Sequence, residues 1–96
     1  MHLSASEIKK LLRKWHFYKA CSSNPGEDGK LKRKLDAIEK AVYRLDDVSR
    51  KVIIEHYFNR ATIEDTALLV FMTVRGTYYR IAAAVKEMVY LIENNT

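Results

Sequence analysis

The sequence predicts an all-α fold of about five helices in a single domain spanning residues 1–96. Apolar residues recur every three or four positions along most of the chain, which is the period of an α-helix packed on one face. Three glycines and one proline in 96 residues are too few for the many turns of an all-β chain. Hydrophobic residues make up 48% of the chain and charged residues 30%, which is the composition of a globular domain rather than of a disordered chain.

The first helix is predicted over residues 4–21, with an apolar and a basic face. Ser4 and Glu7 have the spacing of an N-terminal capping box. The apolar residues recur at helical spacing: Ile8, Leu11, Leu12, Trp15 and Tyr18. The basic residues cover the other side: Lys9, Lys10, Arg13 and Lys14. Turn-forming residues, among them the only proline and two of the three glycines, then close this N-terminal segment of residues 1–29.

The second helix is predicted over residues 30–45, at the start of a helical bundle that extends over residues 30–96. Its apolar residues alternate in steps of four and three, as in a helix that packs lengthwise against another: Leu31, Leu35, Ile38, Val42 and Leu45. Its first turns carry a basic cluster: Lys30, Lys32, Arg33 and Lys34. Cations are unfavourable at the positive end of a helix dipole, so this placement is a weak indication of an anionic partner.

Two shorter helices are predicted next, over residues 47–59 and after Thr62. Asp46 or Asp47 is the expected N-cap of the first of them. The residues expected to face inward are Val52, Ile53, Tyr57, Ile63, Ala67 and Val70, with His56 as a further candidate. Residues 68–72 are all apolar, and because they cannot all face one small core, some of them are expected to be exposed.

The last helix is predicted from Thr73 or Val74 to Glu93. Its apolar stripe is the most regular in the chain: Val74, Tyr78, Ile81, Val85, Met88 and Ile92. With the short helix before it, it has the outline of a helix-turn-helix at residues 62–93, whose second helix enters the major groove of DNA. The residues predicted to contact the DNA groove lie opposite the stripe: Arg75, Gly76, Thr77, Tyr79, Arg80 and Ala83.

The residue types on this side suit DNA recognition. Arginine reads guanine through two hydrogen bonds, and threonine and tyrosine reach bases or phosphates. Small residues at Gly76 and Ala83 would let the helix approach the groove closely. An ordinary amphipathic helix with two exposed arginines is the competing interpretation.

The net charge of +5 is unevenly distributed. Residues 1–44 hold 11 lysines and arginines against 5 acidic residues, whereas residues 45–96 hold 6 against 7. A basic half is typical of a chain that binds a polyanion, most often nucleic acid, although a solvated basic face would have the same charge. The residues predicted to contact phosphates are Lys9, Lys10, Arg13, Lys14, Lys30, Lys32, Arg33 and Lys34.

The sequence offers little for catalysis. His2, His16 and His56 do not have the spacing of metal ligands or of an acid–base pair, and the single Cys21 excludes an internal disulfide and a cysteine-based zinc site. We therefore expect no enzymatic activity, cofactor, metal or small-molecule substrate. No apolar run is long enough to span a membrane, and no signal peptide is indicated, so a cytoplasmic location is expected.

Four short motifs follow one another from residue 37 onward. They are Ala37-Ile38-Glu39-Lys40, Ser49-Arg50-Lys51, Ile54-Glu55-His56-Tyr57-Phe58-Asn59-Arg60 and Thr77-Tyr78-Tyr79-Arg80. In this order and spacing, residues 37–93 resemble the sigma-factor region 4-like regulators of bacteriophages of the ArpU and RinA types. At the turn the chain has Val70-Phe71-Met72, where that family usually has a glycine or a small polar residue.

The resemblance implies a DNA-binding transcriptional regulator of phage or prophage origin, acting in a bacterial host cell. It implies that a recognition helix starting near Thr73 contacts double-stranded DNA. A protein-interaction module that binds RNA polymerase or another host protein is the alternative, and the apolar run at residues 68–72 favours it. Further alternatives are a homodimer formed through Trp15 and Tyr18 of the first helix, and a DNA-packaging factor like a small terminase subunit.

Overall fold

A computed structural model describes residues 1–23 and 29–94. Helices are the only regular secondary structure in this part of the chain. Its six α-helices and one π-helical turn are α1 (Ala5–Arg13), α2 (Trp15–Ser22), α3 (Lys30–Tyr43), α4 (Asp47–Ile53), the π-helical turn (Ile54–Phe58), α5 (Ile63–Leu69) and α6 (Val74–Glu93). The all-α prediction is confirmed. None of these helices combines the length and apolar character that crossing a bilayer requires.

The predicted first helix is two helices, which explains the difference from the expected count of five. Lys14 has φ −120° and ψ 39°, outside the helical region, and separates α1 from α2. After this break, Trp15 is buried and stacks on Phe58 with ring centroids 4.6 Å apart. The N-cap prediction is confirmed, because the Glu7 backbone N–H donates to the Ser4 hydroxyl over 3.1 Å.

Helix α6 is the centre of the bundle, since α1, α3, α4 and α5 all pack against it. The largest fully buried apolar side chains come from four helices, α1, α3, α4 and α6, and from the residues before α1: Leu3, Ile8, Leu12, Leu35, Ile38, Val42, Val52, Ile53, Val85 and Met88. Each such side chain contributes about 1.5–3 kcal/mol through its burial. The core therefore joins both halves of the chain into one unit around α6.

The buried face of α6 differs from the predicted stripe. Tyr78 is 55% exposed and Val74 is 37% exposed, whereas Thr77 is fully buried. The Thr77 hydroxyl donates to the Thr73 carbonyl oxygen over 2.8 Å, and a polar side chain satisfied in this way is tolerated in a core. A tyrosine, by contrast, keeps its hydroxyl in water at the edge of the face.

The third predicted helix changes its form halfway. Asp46 is the N-cap of α4, and its carboxylate accepts from the Ser49 backbone N–H over 3.4 Å. After Ile53 the backbone widens into the π-helical turn, which carries Phe58 against Trp15. Such single π turns are uncommon and interrupt an otherwise regular helix.

Helices α5 and α6 each begin at a threonine N-cap, and a short turn joins them. Thr62 caps α5 by accepting from the Asp65 N–H over 3.1 Å, and Thr73 caps α6 by accepting from the Gly76 N–H over 2.9 Å. Phe71, between them, has φ 57°, in the left-handed region that favours glycine. Of the predicted turn at residues 22–29, residues 24–28 lie outside the described part.

Candidate nucleic-acid interface

The exposed side of α6 begins with an arginine held along the helix. The Arg75 guanidinium lies 5.7 Å from the centre of the Tyr79 ring, and its Nη2 donates to the Tyr79 hydroxyl over 3.3 Å. Both residues are exposed, as is Ala83 one turn further on. Three of the six predicted groove residues therefore lie on one solvent-facing side of α6.

The other three predicted groove residues have different surroundings. Thr77 is in the core, so the prediction that it contacts DNA is wrong. A Cβ atom at Gly76 would lie 3.0 Å from the Thr73 hydroxyl oxygen. Glycine at this position therefore leaves room for the hydroxyl that caps α6. Arg80 is half-buried and lies toward the beginning of α4.

The position of Arg80 is evident from its effect on Asp46. Hydrogen bonds from Ser49 lower the pKa of the Asp46 carboxyl below its ordinary value of 3.8, and the positive charge of Arg80 contributes to the same shift. Part of the field of Arg80 therefore acts on a carboxylate of this chain. Neither Arg75 nor Arg80 makes an ion pair among the described residues.

A groove between α1 and α6 brings basic residues beside this face. Lys9 and Arg13 from α1 line it together with Tyr78 and Ala82 from α6. Tyr57 lies at its base, where burial raises the pKa of its hydroxyl and the nearby Arg13 charge opposes that rise. Tyr78 is three residues after Arg75 and Ala82 three residues after Tyr79, so each lies beside an exposed residue on the helix surface, and this groove adjoins the exposed side of α6.

A second groove continues from Arg13 along the start of α2. Lys14, Phe17 and Arg60 line it with Arg13. Two histidines in its wall donate to backbone carbonyls: His16 Nε2 to Phe58 over 2.7 Å, and His56 Nδ1 to Ala61 over 2.9 Å. The linings of the two grooves share Arg13 and contain no carboxylate among the described residues.

We call the four cations of these two grooves, Lys9, Arg13, Lys14 and Arg60, the basic groove. None of them makes an ion pair within the described ranges. Their charges repel one another without compensation from a nearby carboxylate, which favours an anion as the missing partner. Phosphates of a nucleic acid backbone are anions that lysine and arginine bind well.

The remaining predicted phosphate contacts line neither of these two grooves. Lys34 pairs with Glu7 over 2.9 Å, and Arg33 adjoins Leu91 and Ile92 near the end of α6. From the start of α6 to Ile92 the helix rises by about 27 Å. We call this set the far-end cluster: Lys10, Lys30, Lys32, Arg33 and Lys34.

The eight predicted phosphate contacts thus divide into two groups. Only Lys9 and Arg13 line a groove with residues of α6, and Lys14 lies beside Arg13 in the adjoining groove. Sequence reasoning missed Arg60 and Phe17, although the residues from Ile54 to Arg60 already stood out as a motif. Only the fold brings Arg60 to Arg13, because the π-helical turn and α1 pack together.

The arrangement offers charge and exposed hydrogen-bond donors rather than a reaction centre. Among the described residues, no group of three or more His, Cys, Asp or Glu side chains is placed to hold a metal ion. Comparison of the chain with protein-family models, with curated proteins and with solved structures gives no match. The geometry above is therefore what indicates a function.

Proposed function

We propose that this chain is a DNA-binding protein of the helix-turn-helix class, with α5 and α6 as the two helices of the motif. The start of α6 lies in the major groove, where Arg75 and Tyr79 contact base edges and phosphates. The observation that carries the proposal is the basic groove. Lys9 and Arg13 lie beside α6, Lys14 and Arg60 extend the cationic surface from Arg13, and none of the four has an acidic partner among the described residues.

The more particular proposal is a transcriptional regulator of phage or prophage origin. It rests on the resemblance of residues 37–93 to the phage late-gene regulators named above. In the motif Thr77-Tyr78-Tyr79-Arg80, the threonine is buried and both tyrosines are exposed. This pattern is compatible with a helix that packs on one side and contacts DNA on the other.

Two sets of residues have different roles in the proposed interface. The basic groove contacts phosphates, which supplies affinity without sequence preference. Arg75 supplies sequence preference, because an arginine in the major groove bonds both O6 and N7 of a guanine. Arg33 of the far-end cluster lies beside Leu91 and Ile92, about 27 Å along α6 from its start, and is too distant to belong to the same contact.

The direct test is binding to a random-sequence duplex, followed by fluorescence anisotropy at about 50 mM and about 200 mM salt. We expect micromolar or tighter binding at the lower salt. Four phosphate contacts give a slope of log affinity against log salt of about −3.6. An absence of binding at the lower salt would contradict the proposal.

One observation favours a protein partner as a second candidate function. Three apolar side chains are exposed together on α5 and the following turn: Leu68, Leu69 and Phe71. Surfaces that bind DNA are more polar than this. A host protein such as RNA polymerase is the partner expected in that case. Retention of RNA polymerase by the wild type, and its loss in Phe71→Gly, would support this function.

A further inference from the structure

The outer side of α5 and the turn after it form an apolar surface with no partner in this chain. Leu68 is 73% exposed, Leu69 43% and Phe71 95%. We call these three residues the Phe71 patch. An exposed phenylalanine in the left-handed backbone region is doubly unfavourable, since glycine would adopt that conformation with less strain. The backbone conformation closes α5 in a Schellman motif: the Phe71 N–H donates to the Leu68 carbonyl oxygen over 3.3 Å, and the next N–H, of Met72, donates to the Ala67 carbonyl oxygen over 2.9 Å. The Phe71 side chain itself stays exposed.

The charges around the Phe71 patch differ at its two ends. Glu64 and Asp65 are exposed in the first turn of α5, one helical turn before Leu68 and Leu69, and make no ion pair among the described residues. Past the opposite end of the patch, α6 begins, with its positive dipole end and Arg75. The surface thus runs from acidic through apolar to positive.

Such a surface is complementary to itself when one copy is turned by 180°. With two α5 helices antiparallel and a two-fold axis near Leu69, the apolar residues of the two copies meet at the centre. Glu64 and Asp65 of each copy then lie opposite the start of α6 of the other, where Arg75 is exposed. A two-fold contact of this kind closes after two copies.

We propose that the Phe71 patch is an isologous dimer contact, occupied by a second copy of this chain. This goes beyond the proposed DNA binding and does not depend on it. The three side chains offer roughly 400 Å² of surface per copy, below the roughly 800 Å² of a standard interface. The dimer is therefore weak, with a dissociation constant in the micromolar range or above.

The proposal replaces the dimer contact expected from the sequence. Trp15 was expected to meet a second copy, but it is buried against Phe58, and Tyr18 is half-buried.

The test is sedimentation velocity of the wild type without DNA, from about 5 to 500 µM, a range that brackets the weak interfaces of this size. The key variant is Phe71→Gly, which removes the side chain and relieves the backbone at the same position. Tyr90→Ser is the control, since Tyr90 is another exposed aromatic residue, near the other end of α6.

We expect the wild type to shift from monomer to dimer as its concentration rises. Phe71→Gly should weaken the association at least about tenfold, while its melting temperature stays the same or rises, and Tyr90→Ser should associate like the wild type. Leu68→Ser should also weaken the self-association.

A wild type that is monomeric over the whole range would overturn the proposal, and the Phe71 patch would then belong to a different protein. Dimers that persist in Phe71→Gly would also overturn it, as would species larger than a dimer. Since no DNA is present, these outcomes are independent of whether the chain binds duplex DNA.

Discussion

Arg75 and Arg80 are five residues apart on the same helix, but their surroundings differ. Arg75 is exposed and lies over the Tyr79 ring, whereas Arg80 is half-buried and its charge acts on Asp46. Residue type alone made both of them candidates for base contacts. Only the packing of α6 on α4 separates them, because it fixes which direction each side chain takes.

This difference predicts unequal effects on DNA binding. Arg75→Ala should weaken binding to a preferred duplex about tenfold, since it removes one base contact worth about 1.4 kcal/mol. Arg80→Ala should change the affinity by less than about threefold, because a partly neutralised charge away from the interface contributes little. Fluorescence anisotropy with the same duplex measures both. A larger effect of Arg80→Ala would contradict the assignment of the exposed face.

Phe71 allows a prediction about stability that is separate from its role in association. Phe71→Gly should raise the free energy of unfolding by about 0.5–1 kcal/mol, because it relieves left-handed strain and removes a side chain with few contacts. Phe71→Ala keeps the strain and should leave stability unchanged. Urea unfolding at low protein concentration measures both variants, and a loss of stability in Phe71→Gly would show that the side chain supports the fold.

Helix α6 shows how a correct element can be assigned the wrong face. Its start and its end follow from local sequence, and the structure confirms them. The predicted stripe through Val74 and Tyr78 is wrong. It treats tyrosine as an apolar residue to be buried and threonine as a polar residue to be exposed, and the structure has the reverse. Thr77 satisfies its hydroxyl within the helix, so burial costs it little.

The corrected face predicts the behaviour of Thr77→Val. This change keeps the shape of the side chain and removes only its hydroxyl, so the protein should stay folded with a stability change of about 1 kcal/mol or less. Affinity for duplex DNA, measured by anisotropy, should stay within about twofold of the wild type, as for any residue outside the interface. A clear loss of affinity in a variant of unchanged stability would restore Thr77 as a DNA contact.

The start of α4 depends on the charged form of Asp46. Since folding lowers the pKa of this carboxyl below 3.8, its ionised form stabilises the folded state above that pH, and the contribution is lost as the pH falls through the folded pKa. Asp46→Ala should lower the free energy of unfolding at pH 7 by about 1 kcal/mol. Urea unfolding at pH 7 and pH 3 should show the difference between wild type and variant shrinking at the lower pH; an equal difference at both would contradict the role of the charge.

At the level of the whole molecule, local patterns predicted the helices better than their arrangement. The all-α class, the caps at Ser4 and Asp46, and the exposure of part of the apolar run were all within reach of the sequence. The break at Lys14 and the π-helical turn were not, because both accompany the stacking of Trp15 on Phe58. That contact joins distant parts of the chain, and periodicity carries no information about it.

The same limit applies to the basic residues. Charge distribution indicated a polyanion partner but treated all eight predicted phosphate contacts as one set. The fold divides them between the basic groove and the far-end cluster, and it adds Arg60 to the former. Which cations lie beside α6 depends on the packing of α1 against α6 and of α3 against the end of α6.

The central claim is that the basic groove, and not the far-end cluster, contacts the DNA backbone. The most direct measurement compares two variants that each remove two positive charges: Arg13→Gln with Lys14→Gln, and Lys32→Gln with Arg33→Gln. Both have the same net charge, so their affinities for a random duplex, followed against salt by anisotropy, report position alone. We predict that the groove variant loses about 1.8 units of the salt slope while the far-end variant keeps the wild-type slope; equal losses, or a loss confined to the far-end variant, would contradict the account.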